Sequence, residues 1–274
     1  MNPSVQSQAI KALTTVRGLH WNDSGQAALT GELARYADRL DRAFARWAAS
    51  LGAEPLLPPP CLPPGVPERC GYLLSFPHHA TMAVPVADDD GEDPVRSLLT
   101  PAACYHVYPT LEDSHLNRPV FLTLRATCFR NEDVFLPLER QWSFSMREVV
   151  CVGADEDVSR FLETARKTAS AWCEILGVPI RLDRATDPFF DPASSPGWLM
   201  QRLLPLKTEL LSDGLAIGSF NSHQSFFGET FSIRVCGQPA WTGCAAFGLE
   251  RWLLALIRRH GPDACGWPDP ETLA

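Results

Sequence analysis

The chain has 274 residues, with 24 lysines and arginines against 32 aspartates and glutamates, so its formal net charge is −8. This acidic balance argues against a broad basic face for nucleic acid, because phosphate contacts are made mainly by lysine and arginine. No apolar run approaches the roughly 20 residues of a membrane-spanning helix, and the N-terminus lacks a basic-then-apolar signal pattern. The nine cysteines include no CxxC pair, which predicts reduced thiols in a cytoplasmic protein.

A chain of this length can form one large domain or two small ones. The first residues carry little pattern, so we predict a leader over residues 1–30, loose or with one short helix, and a main domain over residues 31–274. From residue 31 to 51, apolar side chains recur every three or four positions, which predicts an amphipathic helix. A proline run follows this helix, and residues 58–67 and 87–94 predict loops.

Residues 122–153 contain two alternating runs around a proline-containing loop, which predicts a β-hairpin. Period-two geometry places Arg130 and Glu132 on one face of the first strand, and Phe144 and Glu148 on the corresponding face of the second. A guanidinium binds phosphate in a bidentate manner, a carboxylate can read the adenine amino group, and a phenyl ring stacks on a purine. The pattern indicates either a nucleotide-binding platform or a half-exposed hairpin with an ordinary cross-strand Arg/Glu pair.

Further stretches complete the predicted sheet and its helices. Residues 155–176 have the apolar spacing of a helix, which Gly177 ends. Residues 205–211 and 216–235 predict antiparallel strands rich in aromatic side chains. Residues 243–261 predict a strand of small residues that runs through the sequence GLER into an apolar helix.

Several of these segments resemble one enzyme superfamily. The FRNE sequence at residues 129–132, the later SFSMRE and the AFGLER junction resemble motifs 2 and 3 of the class II aminoacyl-tRNA synthetases. Together with SFPHH, PAACYHVYP, DPFF and SFNSHQSFFGE, they are similar to the amino acid:carrier protein ligases, truncated relatives of the archaeal-type, zinc-containing seryl-tRNA synthetases. The resemblance implies an α+β fold, in which an antiparallel sheet is flanked by helices. The first long helix and its proline run resemble motif 1, which implies a homodimer; the pattern alone also fits a core helix followed by a loop.

The resemblance implies that ATP binds in a bent form on the sheet. Arg130 would contact the α-phosphate and Arg251 the γ-phosphate, with Phe144 under the adenine and Glu132 near its amino group. The implied residues are Arg130 and Arg251 for catalysis, Arg130, Glu132, Arg140, Phe144, Glu209 and Arg251 for ATP binding, and Ala102, Glu148 and Asn221 for the amino acid.

The implied chemistry needs no protein nucleophile, because the amino acid's own carboxylate would attack the α-phosphorus and the protein would position and neutralise charge. Magnesium is expected on the pyrophosphate. However, the acidic residue that class II enzymes usually carry before the serine–asparagine segment is absent from GLAIGSFN. Glu209 and Glu229 are the candidates to replace it.

The resemblance also implies a zinc ion bound by two cysteines and a glutamate. Cys128 and Cys244 match the family's cysteines, and we predict Glu163 as the glutamate, with Glu174 on the same helix as the second choice. Thiolate and carboxylate are good zinc ligands, and three protein ligands would leave one position open for a substrate amine. From spacing alone, the scattered cysteines are more typical of small buried apolar residues.

The implied reaction is ATP-dependent activation of a small amino acid, followed by transfer from the adenylate to the phosphopantetheine thiol of a carrier protein. Glycine or alanine is the predicted substrate, because Ala102 and Ala103 would leave room for only a small side chain. No tRNA is expected as a partner, since the chain offers neither a long coiled-coil arm nor an anticodon domain. Two alternatives stay open: transfer to a small-molecule or peptide amine, and an inactive synthetase paralogue with a regulatory role.

Overall fold

The computed structural model describes residue 13 and residues 15–63, 65–85, 96–187, 189–191 and 203–273. The loop predicted over residues 87–94 and the first part of the predicted leader lie outside these ranges. The strands are β1 (Leu19–Asn22), β2 (Gln26–Leu29), β3 (Glu54–Pro55), β4 (Met82–Ala83), β5 (Ser97–Leu98), β6 (His115–Leu116), β7 (Val120–Phe129), β8 (Ser143–Gly153), β9 (Arg181–Arg184), β10 (Lys207–Ser212), β11 (Leu215–Gln224), β12 (Arg234–Val235), β13 (Gln238–Pro239) and β14 (Trp241–Gly248). The α-helices are α1 (Gly31–Ser50), α2 (Val66–Arg69), α3 (Tyr72–Ser75), α4 (Val107–Thr110), α5 (Asp155–Ile175), α6 (Phe226–Thr230) and α7 (Leu249–His260).

A seven-stranded sheet forms the centre of the fold, in the order β3-β7-β8-β14-β11-β10-β9. Its neighbouring strands are antiparallel, except that the short edge strand β3 runs parallel to β7. Helices flank this sheet, so the predicted α+β architecture is confirmed.

The predicted hairpin is β7 and β8, which pair antiparallel along their length. β7 ends at Phe129, so Arg130 and Glu132 follow the strand in a loop and do not lie on its face, which corrects the prediction. The reason is a change of partner: the backbone N–H of Asn131 donates to the carbonyl of His79 at 3.1 Å. The hairpin loop therefore begins at Arg130, the first of the predicted ATP-binding residues.

Three long helices, α1, α5 and α7, build the main core with one face of the sheet. The predicted helices over residues 31–51 and 155–176 agree with α1 and α5 to within one residue. Aromatic rings join the layers: Phe44 lies 4.9 Å from both Trp172 and Phe247, measured between ring centroids. Within the described ranges, no helix is both long enough and apolar enough to cross a membrane.

The segment over residues 216–235, predicted as antiparallel strand structure, contains two strands separated by a short helix. β11 ends at Gln224, which has a φ of +51°, and α6 and β12 follow it. The turn packs closely on the start of β14: a Cβ at Gly228 would lie 2.1 Å from the carbonyl oxygen of Ala240. Aromatic spacing over this stretch does not distinguish strand from a helical turn, so the prediction of strand is wrong for the helical residues 226–230.

The described part of the predicted leader is a β-hairpin. β1 and β2 pair antiparallel, with Leu19 opposite Leu29. Val16 and Leu19 are 4% and 7% exposed and belong to the main core. The expectation of a loose leader or a short helix is therefore wrong for residues 19–29, while the division of the chain at residue 30 stays a prediction.

A buried ion pair connects α1 to the sheet. Asp41 is 6% exposed and accepts two hydrogen bonds from Arg147 of β8, both 2.8 Å long. Thr123 of β7 accepts a third bond from the same guanidinium at 3.3 Å. The bidentate pair fixes the helix against the two strands of the hairpin.

We expect Asp41→Ala to lower the free energy of unfolding by about 3 kcal/mol, because it leaves the guanidinium of Arg147 buried without its carboxylate. Asp38→Ala is the matched control: Asp38 lies on the same helix in an exposed pair with Arg42, and its loss should cost less than about 1 kcal/mol. Urea unfolding of both variants measures the difference. Equal losses would show that the buried pair does not stabilise the helix–sheet contact.

Candidate active site

The face of the sheet opposite the long helices carries the candidate site. Phe144, Met146 and Glu148 alternate along β8 on this face, and Phe144 and Met146 pack against a second core. On β14, Cys244 faces the same core and lies opposite Asn221 of β11 in the strand register. One continuous antiparallel surface therefore presents aromatic, carboxylate, thiol and amide groups.

Three arginines gather at one end of this face. Arg130 and Arg140 come from the β7–β8 loop, and Arg251 comes from the first turn of α7. Burial first, and then the charges of Arg130 and Arg140, lower the pKa of Arg251, while Glu209 and Glu132 act in the opposite direction. Glu132 also accepts a hydrogen bond from Arg140 at 3.2 Å. A cluster with this excess of positive charge is suited to a polyanion such as a triphosphate.

The backbone fixes Arg251 in this cluster. Its Nε donates to the carbonyl of Glu139 at 2.8 Å and its Nη1 donates to the carbonyl of Ala216 at 3.0 Å. Both carboxylate oxygens of the preceding Glu250 accept from the backbone N–H of Ser145, at 3.0 and 2.9 Å. This side chain takes the place of a strand partner, because the pairing of β14 with β8 ends at Met146. The start of α7 is therefore attached to both β8 and its loop.

The ring of Phe144 lies beside the cluster. The guanidinium of Arg130 is 5.3 Å from the ring centroid, and its Nε donates to the carbonyl of Pro101 at 3.2 Å. The structure thus brings together Arg130, Glu132, Arg140, Phe144 and Arg251, as the sequence predicts, although their roles stay predictions.

The two magnesium candidates lie in different surroundings. Glu209 is on β10 and forms an ion pair with Lys207 at 3.3 Å, close enough to Arg251 to affect its pKa. Glu229 is on α6, where it accepts a hydrogen bond from Ser225 at 2.7 Å. Of the two, Glu209 is the one that shares the environment of the arginine cluster.

A second polar cluster lies further along the same face. One ligand atom each from Cys104, His223 and Cys244 lies within 4.8 Å of the others. The Nε2 of His223 is 3.8 Å from the Sγ of Cys244, and the amide of Asn221 donates to that sulfur at 3.3 Å. A hydrogen bond from Cys104 first, and then bonds from His223 and Asn221, hold the pKa of Cys244 well below its usual range. A low pKa favours the thiolate that binds metal.

Glu148 adds a carboxylate to this cluster. Its Oε1 accepts from the backbone N–H of Ala103 at 3.1 Å, while its Oε2 is buried without a hydrogen-bond partner among the described residues. Burial first, and the charge of Cys244 second, raise the pKa of Glu148 to about 8, although Ala103 and the Cys104 thiol act in the opposite direction. A buried, unpartnered carboxylate oxygen close to the thiols of Cys104 and Cys244 fits a zinc ion, since thiolate and carboxylate are among its preferred protein ligands.

The predicted zinc ligands are not brought together. Glu163 is exposed on the outer side of α5, where it pairs with Lys167 at 2.6 Å, and Glu174 lies exposed on the same helix. Cys128 is buried opposite Phe144 in the strand register, and the cluster contains Cys104 in its place. Only Cys244 is common to both sets, so the structure corrects Cys128, Glu163 and the alternative Glu174.

The remaining predicted residues keep a place near the site. Ala102 is partly buried against the second core, next to the residue that holds Glu148, and Asn221 contacts Cys244 as described above. Glu148, predicted to bind the substrate, lies beside the Cys104–His223–Cys244 cluster, and its role stays a prediction. Sequence reasoning missed His223 as a ligand candidate, and its signal was weak: one polar residue in an aromatic segment.

No protein-family model matches the chain. It is 38% identical over 245 residues to "Amino acid--[acyl-carrier-protein] ligase 1" of Bradyrhizobium diazoefficiens, covering 79% of this chain and 74% of the relative. The chain belongs to the amino acid–[acyl-carrier-protein] ligase family. A second member of this ligase family in the same organism, "ligase 2", is 33% identical over 282 residues, covering 90% of this chain and 83% of the relative.

The ligase family has more distant relatives among tRNA ligases. A type-2 serine–tRNA ligase of Methanopyrus kandleri is 26% identical over 271 residues, and the chain spans 51% of its length. Among solved structures, M. kandleri SerRS in complex with A. aeolicus tRNASec superimposes with a TM-score of 0.79 at 22% identity, covering 99% of this chain and 60% of that chain. Prolyl-tRNA synthetase from Cryptosporidium parvum superimposes with a TM-score of 0.72 at 15% identity, covering 96% of this chain and 54% of that chain. This ligase therefore has the class II synthetase fold, as predicted.

Proposed function

We propose that the protein activates a small amino acid with ATP, releasing pyrophosphate, and transfers it from the adenylate to the phosphopantetheine thiol of a carrier protein, releasing AMP. The observation that carries the proposal is the distribution of groups along β8. Phe144 lies beside the arginine cluster and Glu148 beside the cysteines, four residues further on the same face. At about 3.4 Å per residue, the two ends are about 14 Å apart, which suits one aminoacyl adenylate.

ATP would lie at the arginine end. The purine would stack on Phe144 in place of the Arg130 guanidinium, which would then be free to contact the α-phosphate. Arg251, held by two carbonyls, would contact the γ-phosphate, and Glu132 and Arg140 would complete the nucleotide site. These arginines would neutralise the charge that develops as the amino acid carboxylate attacks the α-phosphorus and pyrophosphate leaves.

The amino acid would lie at the cysteine end. Cys104, Glu148 and Cys244 would hold a zinc ion there, with His223 and Asn221 orienting the thiolate of Cys244. The bound ion would supply a Lewis-acidic position for the substrate amine. Ala102 and Ala103 line the adjacent segment, which supports a small substrate such as glycine or alanine.

The finer parts of the proposal rest on the family likeness. We propose magnesium on the pyrophosphate with Glu209 nearby, a homodimer formed through α1 and β3, no tRNA partner, and a cytoplasmic location inferred from the cysteine content. Transfer to a small-molecule or peptide amine and an inactive regulatory paralogue remain the competing functions. The complete arginine cluster favours an active enzyme.

Amino-acid-dependent ATP–pyrophosphate exchange tests the proposal. We expect exchange with glycine or alanine out of the twenty amino acids, lost after chelation and restored by zinc. In a second step, the radiolabelled amino acid should pass to a phosphopantetheinylated acyl carrier protein, but not to the same protein without its phosphopantetheine or to tRNA. Exchange with a larger amino acid at equal rate would contradict the small-substrate proposal. No exchange from folded, zinc-loaded protein would favour the regulatory paralogue.

A further inference from the structure

The β1–β2 hairpin, residues 19–29, ends in a turn of defined geometry. The side chain of Asn22 accepts from the backbone N–H groups of Ser24 at 3.0 Å and Gln26 at 3.3 Å. Gly25 closes the turn with a φ of +81°, in the left-handed region that glycine adopts without strain. We call this hairpin the N-terminal clasp.

The tip of the clasp contacts the loop that carries Arg130 and Arg140. The carbonyl of Gly25 accepts from the backbone N–H of Trp142 at 2.8 Å. The ring of Phe135 fills the space beside the glycine, so closely that a Cβ on Gly25 would lie 2.4 Å from the ring. The contact therefore needs a glycine for space as well as for conformation.

Trp142 connects this contact to the arginine cluster. Its carbonyl accepts from the backbone N–H of Arg130 at 2.9 Å, across the neck of the loop. Its indole Nε1 donates to the hydroxyl of Thr81 at 3.1 Å. Inside the loop, Leu136 and Arg140 exchange backbone hydrogen bonds of 2.7 and 2.9 Å. The two ends of the loop are thus connected to the clasp: Trp142 bonds to Gly25 directly, and Arg130 bonds to Trp142.

We propose that the N-terminal clasp positions the β7–β8 loop for ATP, with Gly25 as the positioning residue. The inference rests on the proposed function, which assigns Arg130, Glu132 and Arg140 of this loop to the nucleotide. A loop that is already held in its binding conformation loses little conformational entropy when the ligand binds. The clasp therefore contributes to ATP affinity. Among the described residues, the clasp packs on the main core and on the β7–β8 loop and not on the cysteine cluster, so the affinity for the amino acid should be unaffected.

Gly25→Ala tests the clasp, and Gly237→Ala is its matched control. The φ of Gly237 is +82°, close to the +81° of Gly25, and no atom lies within 4 Å of its Cβ position. The control therefore carries the same backbone strain without the clash. We expect Gly25→Ala to raise KM for ATP about tenfold. Its KM for the amino acid should stay unchanged, and its kcat should fall by less than about threefold. Gly237→Ala should leave all three constants unchanged.

Removing the ring is the second arm of the experiment. Phe135→Ala relieves the clash, so the double variant should have a lower KM for ATP than Gly25→Ala alone. If Gly25→Ala does not fold, Phe135→Ala alone still tests the contact, with an expected rise of about threefold in KM for ATP. An unchanged KM for ATP in the available variants, or equal rises in Gly25→Ala and Gly237→Ala, would overturn the proposal.

Titration with a non-hydrolysable ATP analogue distinguishes the clasp from the proposed function. If the wild type binds the analogue but shows no exchange, the proposed function fails, and the ratio of Kd values between Gly25→Ala and the wild type still tests the clasp. If the wild type exchanges but this ratio is one, the clasp fails alone. No binding of the analogue by the wild type would overturn both.

Discussion

Cys104→Ser is expected to release zinc from the protein and to lower the rate of amino-acid-dependent ATP–pyrophosphate exchange by at least about a hundredfold. The serine hydroxyl is a poor replacement for a thiolate ligand, and the substrate amine would lose the group that orients it. Zinc content per chain, measured by elemental analysis after dialysis, reports the metal directly. The exchange rate at saturating ATP reports the consequence for activation.

Cys128→Ala is the matched control, because the sequence predicts Cys128 as a ligand and the structure places it outside the cluster. It should keep its zinc and most of its activity, since a buried cysteine behaves as a small apolar residue. Glu148→Gln and Glu163→Gln form a second pair with the same contrast. Loss of zinc in Cys128→Ala and Glu163→Gln, but not in Cys104→Ser and Glu148→Gln, would favour the ligands predicted from the sequence.

Arg251→Ala is expected to lower kcat for exchange by about a hundredfold to a thousandfold, the usual effect of removing one fixed group that stabilises transition-state charge. Arg251→Lys should recover little of this loss. An ammonium cannot reproduce the fork in which Nε and Nη1 bond to the carbonyls of Glu139 and Ala216 while the third nitrogen is left for phosphate. Steady-state exchange at varied ATP concentration separates kcat from KM.

Arg259→Ala controls for charge removal on the same helix. Arg259 is exposed on α7 and donates to the carbonyl of Gly177 at 2.8 Å, away from the arginine cluster. Its exchange kinetics should match the wild type. A similar loss in both variants would mean that general destabilisation of α7, and not contact with ATP, explains the effect of Arg251→Ala.

Elements with strong periodicity could be predicted from the sequence. The apolar spacing of α1 and α5 gives their bounds to within one residue, and the small-residue strand followed by GLER gives the β14–α7 junction. Period-two alternation also places Phe144 and Glu148 on one face. The ends of β7 and β11 were not predictable from periodicity. After β7 the backbone N–H of Asn131 bonds to His79, and after β11 the chain turns at Gln224 into α6.

The candidate metal cluster could not be derived from spacing, since Cys104 comes from a 3-10 turn, His223 from β11 and Cys244 from β14, while Glu148 of β8 lies beside them. Glu163 could have been rejected from the sequence alone. The buried side of α5 is defined by Phe161, Leu162, Ala165 and Ala169, and Glu163 lies opposite them with its partner Lys167 one helical turn away.

β8 fixes the distance between the two ends of the candidate site, because both ends lie on this one strand. Phe144 and Glu148 belong to one strand that pairs with β7 at both positions and with β14 from Met146 onward, so movement of the loop should not change their separation. An insertion of one residue between them would turn one of the two side chains to the helical face. An insertion of two would restore the face but lengthen the span by about 7 Å. In the proposed site, the distance between the nucleotide and the substrate amine can therefore change only in steps of two residues, and a longer substrate backbone would need such a step.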